Sequence, residues 1–145
     1  MKVFSYLMVS TNKMINISLN EDLLEDFNKN GFLVLDKFID LQYLEDLKER
    51  IEPLFKGEFE TGIEPDEWNW KYGKDSNDVT RQICNAWKSD NLIKQIVCNS
   101  TIGECVSKLM GWKGARLLQD NVLWKPPQGK SLIFHQDASY DDWII

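Results

Sequence analysis

Apolar residues recur at helical spacing in the first half of the chain and predict two helices. Ser18 and Glu21 fit a capping box at the start of the first one. Asp40 is expected to cap the second, and Pro53 would kink or terminate it near its end. The apolar face of this second helix comprises Leu41, Leu44, Leu47, Ile51 and Leu54. Between the helices, the apolar run 32–35 predicts a short strand.

Residues 57–80 are polar, acidic and rich in turn-forming residues, so a long irregular loop is predicted there. Trp68 and Trp70 lie within this loop. They either pack against the helices, which the general behaviour of aromatic side chains favours, or fold over a substrate as a lid.

Helical spacing of apolar residues returns after the loop and predicts two more helices. The first begins at Ser89 or Asp90, and the second begins at Ser100 or Thr101 and ends at Gly111. Their apolar stripes have the spacing of core-facing residues, so they predict packing and no cofactor site.

From Ala115 the pattern changes to alternation, which predicts strands. One face carries Leu117, Gln119, Asn121 and Leu123, and the other carries Arg116, Leu118, Asp120, Val122 and Trp124. Gln119 and Asn121 either bond to backbone nearby or reach into a polar cavity, because an unpaired buried amide is costly. A Pro-Pro-Gln-Gly turn follows, and residues 132–137 then predict a second strand that pairs antiparallel with the first.

Composition indicates one modest domain with a packed core. The chain has 145 residues, 43% of them hydrophobic, and a net charge of −6, which disfavours nucleic acid as a partner. No stretch is long enough to span a bilayer.

Three cysteines without metal-ligand spacing indicate reduced thiols and a cytoplasmic location, with at least two of them in the core. Residues 1–18 are expected to form a flexible extension.

His135 and Asp137 are the candidate chemical residues. On a strand, side chains two apart point to the same side, so an imidazole and a carboxylate would project together. These are two of the three ligand types of the facial site that holds non-haem Fe(II). The alternative is a plain hydrogen bond from His135 to Asp137 on a sheet surface, since three positions with one free residue match often by chance.

The order of motifs from Gln119 onward resembles the phytanoyl-CoA dioxygenase family. The matching stretch runs Gln-Asp-Asn-Val-Leu-Trp-Lys-Pro-Pro over 119–127, then Phe-His-Gln-Asp over 134–137, with Ser139 and Tyr140 beyond it. The segment Asn-Gly-Phe-Leu-Val-Leu-Asp over 30–36, followed by a Leu-rich helix, fits the family as well. The resemblance covers most of the chain from about Leu19 onward.

The resemblance implies an α+β fold, with N-terminal helices packed on a double-stranded β-helix (jelly-roll, cupin-like) core. It implies an oxidoreductase that binds Fe(II) and uses 2-oxoglutarate as cosubstrate to hydroxylate a small-molecule substrate. By that likeness His135 and Asp137 match two of the iron ligands. Asn121 matches a position near the 2-oxoglutarate, and Gln119 matches a position that lines the cavity. The carboxylate of Asp137 points to hydroxylation, because halogenating relatives lack it.

One departure from the family pattern is plain. The family's third ligand is a second histidine on a later strand, with an arginine for 2-oxoglutarate beyond it, whereas this sequence contains one histidine and only residues 138–145 follow Asp137. We therefore expect residues 19–145 to be the N-terminal portion of such a domain, truncated after the His-X-Asp strand and inactive alone. The alternative is a non-catalytic interaction module that self-associates through an exposed sheet edge.

Overall fold

The computed structural model describes residues 14–129, 131 and 133–135, and it combines four α-helices with a small antiparallel sheet over that range. In order these are α1 (Glu21–Asn30), α2 (Leu41–Lys56), β1 (Glu67–Trp68), β2 (Arg81–Cys84), a 3-10 turn (Ala86–Lys88), α3 (Asn91–Val97), α4 (Ser100–Met110) and β3 (Asn121–Trp124). The expected α+β character is therefore present.

The four helices begin and end at the kind of residue that satisfies their free backbone groups. Asp40 and Asp90 accept hydrogen bonds from the first backbone amides of α2 and α3, as the sequence predicts. Gly31, Gly57 and Gly111 end α1, α2 and α4 in the left-handed conformation. α2 continues past Pro53 to Lys56, so the proline precedes its end by three residues.

Two predicted caps are wrong by one or two positions. α1 is capped by Asn20, whose Oδ1 accepts from the amide of Leu23, and not by Ser18. α4 is capped by Asn99, whose Oδ1 accepts from the amide of Thr101, and not by Ser100 or Thr101. In both cases the asparagine amide oxygen reaches the first turn and takes the role that the neighbouring serine or threonine was expected to play.

The predicted strand at 32–35 does not form. This segment has no strand partner among the described residues, and Phe32 and Val34 are 65% and 73% exposed. An apolar run becomes a strand only where a neighbouring backbone supplies its hydrogen bonds. The backbone pairing in this region is instead between residues 14–16 and 38–40, where Ile15 is buried opposite Ile39. The predicted extension reached residue 18, whereas residues 14–16 are part of the packed structure.

The sheet has the order β1-β2-β3, with both neighbouring pairs antiparallel. β2 pairs with β3 in the register Arg81 opposite Trp124 and Cys84 opposite Asn121. The predicted strand 115–124 is therefore shorter, and its partner is β2. The predicted pair between it and residues 132–137 is not present among the described residues, where 133–135 belong to no strand.

The hydrophobic core lies between α2, the sheet, the 3-10 turn and α3. It is formed by Leu54, Phe55, Trp70, Ile83, Ala86 and Ile93. Val122 and Trp124 of β3 pack against it, so the face of β3 that carries them is the inner one. Trp70 is 2% exposed and Trp68 is partly buried beside it, which favours packing over a lid for both tryptophans.

Two of the three cysteines are buried, as expected. Cys84 and Cys105 are buried free thiols, and Cys98 is exposed. Burial raises the pKa of both buried thiols, so they stay protonated and unreactive near neutral pH.

Over residues 14–129, none of the helices combines the length and the apolar character that crossing a bilayer requires.

Candidate functional site

Asn121 is the first residue of β3, and its side chain bonds within the sheet. Gln82 on β2 donates from Nε2 to Asn121 Oδ1 at 3.0 Å. The alternation along β3 places Asn121 and Leu123 on the outer face, away from the core. Asn121 is therefore exposed and oriented by a neighbouring strand, which is a suitable state for a residue that contacts a small polar ligand.

Gln119 lies two residues before Asn121 and is exposed. Its Nε2 donates to Cys84 Sγ at 2.8 Å. The sequence left two interpretations open for these amides, a bond to nearby backbone or a place in a polar cavity, whereas both amides bond to side chains of a neighbouring strand. Their partners are side chains of β2, which the sequence pattern did not identify because the pairing of β2 with β3 spans a long stretch of chain.

His135 lies beyond the turn that follows β3. The turn closes through a hydrogen bond from the amide of Gly129 to the carbonyl of Pro126 at 3.0 Å. His135 is exposed, and its Nδ1 lies 2.9 Å from the carbonyl oxygen of Ile133. A carbonyl only accepts, so Nδ1 donates in this hydrogen bond. A metal-bound histidine commonly has this arrangement, with the second ring nitrogen donating to a carbonyl.

Asp137 falls outside the described residues, and so does the predicted pairing of its side chain with His135. Among the residues that the structure describes, no group of three His, Cys, Asp or Glu side chains could hold a metal ion. The described donors thus amount to one imidazole. Of the predicted iron ligands the structure describes His135 alone, which does not complete an iron centre.

Asp120, between Gln119 and Asn121, has a structural role that the sequence pattern did not reveal. It is 8% exposed, and its carboxylate accepts from the amides of Ala86 and Trp87, both at 3.2 Å. Burial raises the pKa of Asp120, while the two amides act in the opposite direction. Asp120 therefore ties the start of β3 to the 3-10 turn. The signal in the sequence was an aspartate flanked by the apolar residues Leu118 and Val122 on the same face of the strand.

Arg81 is a second residue whose environment was not anticipated. Its guanidinium carbon lies 3.8 Å from the ring centre of Trp70 and 4.5 Å from that of Trp124. These distances are short enough for cation–π attraction to both rings. The sequence places these three residues far apart, and the sheet register Arg81 opposite Trp124 brings two of them together.

Comparisons of the chain with protein-family models, with curated proteins and with solved structures found no match.

Proposed function

We propose that this chain carries part of the catalytic site of an Fe(II)/2-oxoglutarate-dependent hydroxylase of the phytanoyl-CoA dioxygenase type. The observation that carries the proposal is the order of residues: Asn121, then the Lys-Pro-Pro turn, then His135-Gln136-Asp137. In this proposal the core is of the jelly-roll kind, and β2 and β3 are two of its antiparallel strands.

In the proposed site His135 and Asp137 hold the iron, which would supply the activation of O2 when bound. The Nδ1 contact of His135 with the Ile133 carbonyl supports this role, since metal-bound histidines commonly donate from the second ring nitrogen to a carbonyl. Asn121 would lie beside 2-oxoglutarate, and its hydrogen bond with Gln82 would hold its amide in position. Gln119 would line the cavity.

The third protein ligand must come from outside these 145 residues, because they contain a single histidine. Further sequence of the same protein or another chain could supply it. Two protein ligands bind a divalent metal more weakly than three. We therefore expect weak iron binding and no 2-oxoglutarate turnover by this chain on its own.

The test is metal titration under anaerobic conditions, with Fe(II) and 2-oxoglutarate followed by visible absorption and with Co(II) as a second probe. His135→Ala and Asp137→Ala are each expected to abolish the signal, while Asp22→Ala, which removes an exposed carboxylate on α1, leaves it unchanged. Equal metal affinity in all four proteins would overturn the assignment. Succinate release by the isolated, iron-loaded chain would show that no outside ligand is needed.

A second candidate function is self-association, favoured by the outer surface around β3. Among the described residues β3 pairs along one edge only, and Leu118 and Leu123 are 68% and 54% exposed. An open strand edge beside exposed leucines can pair with a second copy of the chain. Light scattering after size exclusion tests this. A dimer that Leu123→Lys converts to a monomer supports the proposal, and a wild-type monomer at all concentrations refutes it.

A further inference from the structure

A second cavity, the Arg81 cavity, lies on the opposite side of the sheet from Asn121. It has a volume of about 260 Å³ and is lined by side chains of α2, of the segment between β1 and β2, and of the ends of β2 and β3. Trp124 lines it, and Trp124 belongs to the inner face of β3, whereas Asn121 belongs to the outer face. The cavity is thus separate from the side chain of Asn121.

The walls of the Arg81 cavity hold the guanidinium of Arg81 in a fixed position. Trp70 and Trp124 both lie within cation–π distance of it. Each ring is itself anchored: Trp70 donates from Nε1 to the carbonyl of Ser76 at 3.0 Å, and Trp124 packs edge-to-face on Phe55. A guanidinium held in this way loses little conformational freedom when it binds a ligand.

Arg81 has donors that the described residues do not use. Its Nη2 donates to Asn77 Oδ1 at 3.3 Å, whereas its Nε is buried and has no acceptor in the described part of the chain. A guanidinium carries five N–H groups, and buried donors in folded proteins are normally paired. Nε is closed to water, so an acceptor in the adjoining cavity would bond to the other N–H groups of the guanidinium.

The charge of the cavity favours an anion. Lys56 joins Arg81 in its lining, against one carboxylate, Glu52. Lys56 Nζ lies 2.8 Å from Glu52 Oε1 and 5.2 Å from the ring centre of Tyr72. The hydrogen bond with Glu52 raises the pKa of Lys56, so the ammonium stays charged over the physiological range. The cavity therefore carries a net positive charge in a chain whose own net charge is −6.

We propose that the Arg81 cavity binds a small organic carboxylate. The planar fork of Arg81 suits the two oxygens of a carboxylate, and the aromatic side chains suit an apolar remainder. At roughly 30 Å³ per water-sized group, the volume accommodates a ligand of about eight or nine non-hydrogen atoms. The proposal is independent of the iron chemistry proposed above.

Benzoate is a suitable probe, with benzamide as its neutral analogue of the same size and inorganic phosphate as an anion without an apolar part. Binding is followed through the indole N–H signals of the six tryptophans in a two-dimensional NMR spectrum. We expect benzoate to shift the signals of Trp70 and Trp124 at millimolar concentration. Benzamide binding as tightly as benzoate, phosphate binding as tightly as benzoate, or no shift at those two signals would each overturn the proposal.

Substitutions then identify the residues responsible. Arg81→Gln is expected to weaken benzoate binding about tenfold or more, because a charge-assisted hydrogen bond is lost. Lys56→Gln changes a side chain that is 32% exposed, so it tests the charge of the cavity without disturbing the core, and a loss of about threefold is expected. Arg116→Gln removes an exposed arginine that does not line this cavity and serves as the control. If Lys56→Gln bound benzoate as tightly as the wild type and the Arg116→Gln control do, the proposal would be contradicted even if Arg81→Gln failed to fold.

Discussion

Arg50 on α2 donates from Nε to Asp90 Oδ2 at 2.7 Å, and this ion pair joins two helices that lie 40 residues apart in sequence. Asp90 is fully buried, and its other carboxylate oxygen accepts from the amides of Leu92 and Ile93, both at 3.0 Å. One carboxylate therefore both caps α3 and attaches it to α2.

Asp90→Ala should be strongly destabilising, because it removes the cap and leaves Arg50 without its nearest partner. We expect a loss of about 3 kcal/mol in the free energy of unfolding, at the low end for a broken buried pair, since Arg50 keeps Glu60 at 3.4 Å. Asp90→Asn should lose less, because asparagine still caps. Urea denaturation measures both. Glu45→Ala, which breaks an exposed pair with Lys48, is the control and should change stability by less than about 0.5 kcal/mol.

Two phenylalanines provide a matched test of the core. Phe55 is fully buried, whereas Phe32 is 65% exposed in the segment that was predicted to be a strand. Phe55→Ala should cost about 3–5 kcal/mol of stability, and Phe32→Ala should cost less than about 0.5 kcal/mol. Thermal or urea unfolding decides between them. A large loss in Phe32→Ala would mean that residue 32 is buried in the folded protein.

Alanine substitutions at two glycines with positive φ distinguish the stability cost of a strained backbone from the cost of steric crowding. Gly57 has φ 87°, and a Cβ there would lie 2.5 Å from Cη2 of Trp68. Gly62 has φ 71°, and a Cβ there would meet no atom within 4 Å. Gly62→Ala should therefore cost about 1 kcal/mol for the left-handed backbone alone, and Gly57→Ala about 1–3 kcal/mol more, because Trp68 must move. Equal losses of unfolding free energy in the two variants, measured by chemical denaturation, would show that the Trp68 side chain moves at no cost in stability.

Asp120 makes the stability of the folded protein depend on pH, and the direction of this dependence follows from its raised pKa. Because burial raises its pKa in the folded state, its contribution to stability is fully present below the ordinary aspartate pKa and is lost as the pH rises through the folded-state value. Asp120→Asn does not titrate, so the stability difference between wild type and variant should shrink as the pH rises from about 3 to 6. Denaturation at several pH values measures this difference.

The control for that experiment is Asp66, where the sign is opposite. Lys88 donates from Nζ to Asp66 Oδ1 at 2.6 Å and, with Asn85, lowers the pKa of Asp66. The contribution of Asp66 is present above the ordinary aspartate pKa and is lost as the pH falls through its folded-state value. Asp66→Asn should therefore show a stability difference that grows with pH, and a shrinking difference would contradict the assigned cause.

The four helices follow from the sequence because the signals that define them are local. The apolar spacing of α2 and its cap at Asp40 lie within one stretch of chain, and Pro53 marks the region of its end, three residues before Lys56. The caps at Asn20 and Asn99 were misassigned because several polar residues precede each helix, and only the folded backbone decides which side chain reaches the first amides. The pattern of reduced, largely buried cysteines also follows from composition and spacing.

The candidate site was predictable only as a set of residue types. Asn121, Gln119 and His135 could be named from motif order, and alternation places Asn121 on the same face as Leu123. That this face is the outer one was decided by the packing of Val122 and Trp124 against the core. The partners of these residues could not be named, because Gln82 and Cys84 belong to β2, more than thirty residues earlier. No local feature of the sequence indicates which strands are neighbours in the sheet.

The amino-acid sequence by itself determined the helices, the turn at Pro126–Gly129 and the order of the candidate ligands, because each depends on neighbours within a few residues. The tertiary structure decided that β2 lies between β1 and β3, that residues 32–35 have no strand partner, and that Arg81 lies between Trp70 and Trp124. These features depend on contacts between distant segments, whose pairing is selected by the packing of the whole core and not by the propensity of any one stretch.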